Sequence, residues 1–353
     1  MPKVRIDNRE VEVPAGATLL DAARQLGIEV PTMCHLEGLA PATSCMLCVV
    51  KVAGEQRLTP SCGRLAEEGM VVETDTPEVR DARRAALELL LSDHLGDCDA
   101  PCQVAQPQHI HIPRMIRHIA AGRLDEALAE IEAACPVGTS PDDLDGTRPE
   151  RACRRSQHDQ PVAIDALMRH VLSAAGRSFR PKAAEPRPRA FSVHIGRIDE
   201  TEMAEFLATA SREERTRPAD PSRGLTAEEA KAEAARCLHC DCRAADACKL
   251  RDLAVEYGAK AATYKGERRR FVRHREHPRV VYEPGKCVAC GLCVRLTRQL
   301  GEPVGLTFVD RGFGVRVAPP LGKTLAEALT FSAERCVEAC PTGALAFWEQ
   351  PQR

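Results

Sequence analysis

Cysteine is the residue that most narrows what this chain can become. There are seventeen among 353 residues, and most fall in short runs rather than singly. An odd number in a chain of this length does not suit a secreted disulfide framework. The opening stretch MPKVRIDNREVEV alternates apolar and polar residues and has no apolar signal region. No run approaches the 18 or more apolar residues of a membrane span. The expectation is a cytoplasmic protein without a membrane span, whose thiols are metal ligands. Its function then hangs on cysteine spacing.

Length implies two or three domains. Apolar residues make up 44% of the chain but aromatic ones only 3%, so the cores must be built from Leu, Val, Ile and Ala. Forty-nine basic against 51 acidic side chains give a net charge of −2. That leaves no cationic surplus for nucleic acid or an anionic membrane.

The patterning predicts a multidomain α+β protein. In residues 1–77, Val4 and Ile6 should pair with Val11 and Val13 across Asp7-Asn8-Arg9, and Thr18 should cap a helix over LLDAARQLGI. A Cys-rich loop and strands near 47–52 and 70–73 complete the outline of a β-grasp domain. Residues 78–180 read as helical, with an αα-hairpin joined at Gly122. Residues 181–225 read as a linker with three prolines in PKAAEPRPRA. A capping box of Thr226 and Glu229 opens a helical Cys-rich segment over 226–270. Residues 271–353 hold two Cys clusters flanking the β-like stretch GLTFVDRGFGVRVA.

Four ligand sets account for fifteen of the seventeen cysteines. Cys34, Cys45, Cys48 and Cys62 follow C-x10-C-x2-C-x13-C, with the small residues of APATSCMLC forming a loop able to enclose a 2Fe–2S cluster. Zinc is the competing occupant, but zinc knuckles favour paired CxxC motifs and only one occurs here. The set and the preceding strands resemble the N-terminal 2Fe–2S domain of the complex I large iron–sulfur subunit and of iron-only hydrogenases, over residues 3–77.

Cys287, Cys290, Cys293 and Cys340, the last followed by Pro341, supply one 4Fe–4S cluster of the bacterial ferredoxin pattern. The second cluster of that pattern is not supplied, because Thr297, Thr330 and Ala333 stand at its ligand positions. The domain therefore resembles a ferredoxin that has lost one of two clusters. Cys336 is left over, unless it replaces Cys340 as a ligand.

Cys237, Cys240, Cys242 and Cys248 lie within twelve residues and can wrap a 4Fe–4S cluster or hold zinc. The following KLRDLAVEYG resembles the connecting stretch of redox subunits fused to ferredoxin domains, which favours iron. His239 among them reads as solvent-facing.

The remaining set is His94, Cys98, Cys102 and Cys153. The segment from here to PVAIDAL resembles the N-terminal domain of the glutamate synthase small subunit and of dihydropyrimidine dehydrogenase, which wraps two 4Fe–4S clusters. By that resemblance Cys98, Cys102 and Cys153 match three ligands of one cluster, while Gln106 replaces an expected Cys. Complex I has a cluster held by one His and three Cys directly after its 2Fe–2S domain, which makes His94 a candidate fourth ligand. The alternative is that His94 is a surface residue and Cys135 completes the site. One 2Fe–2S cluster and two to three 4Fe–4S clusters are the expected cofactors.

No GxGxxG opening a helix after a strand, GxSxG, HExxH or P-loop occurs, so no flavin or NAD site is evident and no catalytic residue is assigned. The one candidate, RGFGVRV from Arg311 to Val317, lies in a β-like stretch without a following helix and reads as a turn. The implied role is a multi-cluster electron-transfer subunit. By resemblance to complex I, soluble hydrogenases and NAD-dependent formate dehydrogenases, its partners are a flavin/NAD(H)-binding subunit and a separate catalytic oxidoreductase subunit. The rival readings are a self-contained reductase working at an incompletely ligated cluster, and a redox sensor.

Overall fold

The computed structural model describes residues 1–181, 191–220, 224–264 and 266–348. The chain folds as two compact units: Met1–Leu95 with Arg243–Arg353, and Gly96–Cys242. The first is built from both arms of the sequence, and the second is inserted between them. Within these units the fold is mixed α/β.

The first arm opens with β1 (Lys3–Ile6) and β2 (Arg9–Glu12). Val4 pairs with Val11, but Ile6 pairs with Arg9, so the turn is Asp7-Asn8 alone, at φ 46° and 64°. The three-residue turn expected from the sequence is thus one residue too long. Asp and Asn tolerate the left-handed backbone that a two-residue hairpin needs, which frees Arg9 to join the strand. Helix α1 (Leu19–Gln25) starts at a capping box of Thr18 and Asp21. Strands β3 (Val49–Val52), β4 (Thr59–Pro60) and β5 (Val71–Glu73) complete a sheet ordered β2-β1-β5-β3-β4, with β1 and β5 parallel. Val4, Ile6, Val50, Val52 and Val72 bury against Leu19, Leu20 and Ala23. Helix α2 (Pro77–Ser92) follows, and its buried Arg83 donates to the Val49 carbonyl at 2.9 Å and to the Tyr257 hydroxyl at 3.0 Å.

The inserted unit is helical: α3 (Pro101–Ala105), α4 (Ile112–Ala120), α5 (Leu124–Ala134), α6 (Thr147–Ala152), α7 (Ile164–Ala174), α8 (Glu200–Leu207) and α9 (Ala227–Ala234). Gly122, at φ 73°, makes the corner between α4 and α5. Ile112, Met115, Ile116, Leu128, Ile131, Leu167 and Val171 form the centre of one core. At the start of α6 a Cβ on Gly146 would lie 2.3 Å from the Asp165 Cα, so only glycine admits this approach to α7. Helix α8 falls inside the stretch read as a linker. A capping box of Asp199 and Glu202 starts it, and Phe206 is fully buried. Most of the proline-rich stretch, residues 182–190, lies outside the described residues, as do 221–223.

The second arm of the first unit carries α10 (Lys249–Tyr257), β6 (Val280–Tyr282), α11 (Leu292–Leu300), β7 (Thr307–Val309), β8 (Arg316–Ala318), α12 (Leu325–Ala328), α13 (Ala333–Ala339) and β9 (Leu345–Phe347). Strands β6 and β9 pair antiparallel, as do β7 and β8 around a single helical turn at Gly312–Gly314. Leu296, Leu306, Val317, Leu325, Leu329, Ala333 and Cys336 fill a common core. The Thr297 hydroxyl donates to the Val294 carbonyl at 3.1 Å and accepts from the Leu306 N–H at 3.2 Å. Thr297 and Ala333, which stand where the two-cluster pattern has ligands, are packing residues here.

Candidate metal centres

All seventeen cysteines are free thiols. In the first unit, the loop between α1 and β3 and the turn after β4 bring Cys34, Cys45, Cys48 and Cys62 together. Hydrogen bonds link Cys34 with Cys45 and Cys48 with Cys62. As acceptors, Cys34 and Cys48 are pulled below the usual thiol range; Cys45 and Cys62, as donors, are pushed above it. Thr43 and Met46, at φ 51° and 55°, put left-handed kinks on either side of Cys45.

The second thiol group of this unit lies between β6 and β9. Cys287, Cys290 and Cys293 precede or open α11, and Cys340 follows α13. Burial raises Cys287, Cys290 and Cys293, Cys290 to about 12, and each of the three also feels the charge of Cys340. The Ala289 N–H points to the Cys287 sulfur at 3.4 Å, and Ala289 is left-handed at φ 50°. The leftover Cys336 is fully buried in the core, pushed up to about 12 by desolvation.

The inserted unit regroups the two middle sets. The Cys102 thiol feels the charges of Cys240, Cys153 and Cys237, so two thiols from each set form one quartet. Burial raises all four, Cys237 to about 12. Cys237 and Cys240 flank the same turn as Cys287 and Cys290: left-handed His239, at φ 46°, sends its N–H to the first sulfur. His239 is half-buried rather than solvent-facing. Four guanidiniums act on these thiols: Arg117 on Cys237, Arg154 on Cys240, and Arg155 and Arg236 on Cys153. Each is anchored by a carboxylate, as in the bidentate pair of Arg117 with Asp241 at 3.0 and 2.7 Å. The others pair Arg154 with Asp97, Arg155 with Asp159 and Arg236 with Glu233.

Of the remaining candidates in this unit, Cys98 and Cys242 are joined by a backbone hydrogen bond, Cys242 N–H to the Cys98 carbonyl at 3.4 Å. The Cys98 sulfur also accepts from the Val193 N–H at 3.4 Å. Cys135 is buried in the helical core, and burial with the charge of Glu132 raises it to about 11. His94 and Cys248 belong to the other unit. His94 Nδ1 is shut off from solvent and has no hydrogen-bond partner. Burial and the charge of Lys286 hold its pKa down to about 4, so the ring is neutral. Nearby, Arg273 and Lys286 hold Glu283 down to about 2 against the upward push of burial.

The donor sets fit iron–sulfur clusters. The four thiols of the helical quartet, Cys102 buried and the other three half-buried, resist ionisation. They need a cationic centre to become thiolates, and a bound metal supplies it. The neutral imidazole of His94, whose Nδ1 has no hydrogen-bond partner, is likewise in the state a metal requires. Among the described residues, no three Cys, His, Asp or Glu side chains converge tightly enough to hold a single metal ion.

Residues 2–77 match the family described as a 2Fe-2S iron-sulfur cluster binding domain, and residues 92–178 match dihydropyrimidine dehydrogenase domain II, 4Fe-4S cluster. The chain is therefore an iron–sulfur protein, carrying a 2Fe–2S domain followed by a 4Fe–4S domain. It is similar to a subunit of the NADH-quinone oxidoreductase of Rhizobium meliloti (strain 1021), at 47% identity over 98 residues, which is 28% of this chain and 12% of that protein. The HndD subunit of the NADP-reducing hydrogenase of Solidesulfovibrio fructosivorans is 48% identical over 103 residues, covering 28% of this chain and 18% of that one. The chain thus spans less than a fifth of the length of these relatives. A chain in the crystal structure of an NAD+-reducing [NiFe]-hydrogenase in the H2-reduced state shares the fold, with a TM-score of 0.52 and 17% identity over 99% of this chain and 88% of that chain. Among the described residues, no helix is long and apolar enough to cross a membrane.

Proposed function

We propose that this chain is a multi-cluster iron–sulfur subunit of a cytoplasmic oxidoreductase complex, relaying electrons between a flavin/NAD(H)-binding subunit and a separate catalytic subunit. The observation that carries this reading is the gathering of twelve free thiols into three separate quartets. In this reading residues 1–77 are a β-grasp 2Fe–2S domain held by Cys34, Cys45, Cys48 and Cys62. Residues 271–353 are a ferredoxin-like domain with one 4Fe–4S site at Cys287, Cys290, Cys293 and Cys340. The helical unit holds a second 4Fe–4S site at Cys102, Cys153, Cys237 and Cys240. Outside these three quartets, the remaining candidate donors are Cys98 and Cys242 in the helical unit and His94 and Cys248 in the first unit.

A cluster bound by such ligands takes up or gives back one electron. The chain's own residues set how readily that happens. Buried thiolates carry negative charge into a low-dielectric interior, where adding an electron is costly. Arg117, Arg154, Arg155 and Arg236 offset that charge around the helical quartet, and their carboxylate partners hold them in place. The N–H groups of His239 and Ala289 donate to ligand sulfurs and stabilise the reduced form in the same sense.

The test is metal and acid-labile sulfide analysis of anaerobically purified protein, followed by reduction with NADH. About 10 iron atoms per chain are expected if the three quartets fill, and about 14 if a further 4Fe–4S cluster is held as well. NADH should bleach the visible absorption only when a flavoprotein partner is present. Zinc in place of iron, or a colourless preparation, refutes the reading.

A further inference from the structure

The first unit brings its two cysteine quartets side by side, and one side chain joins them. Arg295, on α11, donates through Nη2 to the Cys34 carbonyl at 2.7 Å and to the Cys290 carbonyl at 3.4 Å. Nη1 donates to the Ala40 carbonyl, and Nε to the Gly291 carbonyl at 3.3 Å. Two of these four acceptors belong to ligand residues, one from each quartet. Gln299, one turn further along α11, adds a bond to the Gly38 carbonyl at 3.3 Å. The Cys290 thiol feels the charge of Cys34, and the Arg295 charge reaches His35. All of these bonds from Arg295 go to backbone carbonyls, and among the described residues no carboxylate pairs with it. Its positive charge therefore stands uncompensated between the two sets.

We propose that Arg295 is a positioning residue for electron exchange between the Cys34 and Cys287 sets, bracketing their ligand loops and biasing both sites with its charge. The inference rests on the cluster reading given above. An electron exchanged between the two sets leaves one and reduces the other, with no proton or bond in the balance. Rate and direction then depend on the distance between the sites and on their relative potentials, and Arg295 acts on both. Its planar fork reaches carbonyls from two segments at once, a geometry that lysine lacks. Its charge, in surroundings less polar than water, favours the state carrying the extra electron.

The experiment compares the full chain with its Arg295→Gln and Arg295→Lys variants, all purified anaerobically. Iron and sulfide content come first, then redox titration followed by EPR. The parent should show magnetic interaction between the reduced 2Fe–2S and 4Fe–4S signals. In Arg295→Gln, with iron content unchanged, both midpoint potentials should fall and the interaction should weaken. Arg295→Lys should restore the potentials but not the interaction. Unchanged potentials and unchanged interaction in Arg295→Gln overturn the proposal. So does loss of one cluster's iron from both variants, which would make Arg295 a support for cluster assembly. A parent lacking iron would instead refute the cluster reading itself.

Discussion

Glu233 offers the sharpest test of how the helical unit is held. Its side chain is fully buried at the end of α9, and each oxygen has assigned donors. Oε1 accepts from the Ala163 N–H and from Arg236 Nη1, both at 2.8 Å, and Oε2 accepts from the Thr216 N–H at 2.8 Å. Glu233→Gln keeps the volume but turns one oxygen into an NH2. If the amide oxygen keeps the Ala163 and Arg236 side, the NH2 faces the Thr216 N–H. A buried donor left without an acceptor costs about 1–3 kcal/mol. Arg236 also loses its nearest anion. Stranding a buried charge outright costs about 3–5 kcal/mol, but Asp159 remains at 3.3 Å and the Gln160 carbonyl at 2.9 Å. About 1–2 kcal/mol is therefore the share expected from this source. The sum is about 3 kcal/mol. With a urea slope of about 2–3 kcal/mol per molar, the unfolding midpoint of the helical signal should fall by about 1–1.5 M. Glu228→Gln, on the exposed face of the same helix, should change stability by less than about 0.5 kcal/mol. Equal midpoints for the two variants would refute the argument that this network is built around the Glu233 charge.

Two further expectations follow from the site and the core. Cys153→Ala and Cys237→Ala should each lose about four iron atoms and abolish the same EPR signal, while Cys135→Ala keeps the full iron content; two different signals lost would restore the sequence-based grouping. Glu302 accepts from the Thr330 hydroxyl at 2.6 Å, the Phe331 N–H at 2.9 Å, and the Ser332 N–H and hydroxyl at 2.8 and 2.7 Å. Against the upward push of burial these bonds hold its pKa down to about 2. Its folded value lies below the unfolded one near 4.3, so its stabilisation is complete above that pH and is lost as pH falls toward 2. Acid titration of Glu302→Gln should show a flatter loss of stability over that window, by about 1–2 kcal/mol after solvent screening.

The local elements were largely legible because each has a local cause. Thr18 and Asp21, Thr226 and Glu229, and Gly122 punctuate helices by rules that act over a few residues. The compact Cys287 run was legible for the same reason. The middle quartet was not, because spacing assigns cysteines to their nearest neighbours along the chain. Cys102 lies in α3 and Cys153 directly after α6, whereas Cys237 and Cys240 follow α9, and the packing of α9 against α4 and α7 reunites them. The buried charges that accompany these cysteines, Arg154, Arg155 and Arg236 with Asp97, Asp241 and Glu233, are unusual in a core. The left-handed turns at His239 and Ala289 left no mark, since neither is a glycine. The linker reading missed α8 because its prolines lie before and after a helix started by Asp199 and Glu202.

The discontinuous first unit has a consequence for synthesis. The bond from Arg295 to the Cys34 carbonyl joins residues 261 positions apart. At about 5–20 residues per second, the ribosome needs roughly 13–50 s to deliver the later partner. In that interval the helical insert emerges whole and buries its own core, while the early arm, with its own sheet and core, waits for the α11 side chain that brackets its Cys34 loop.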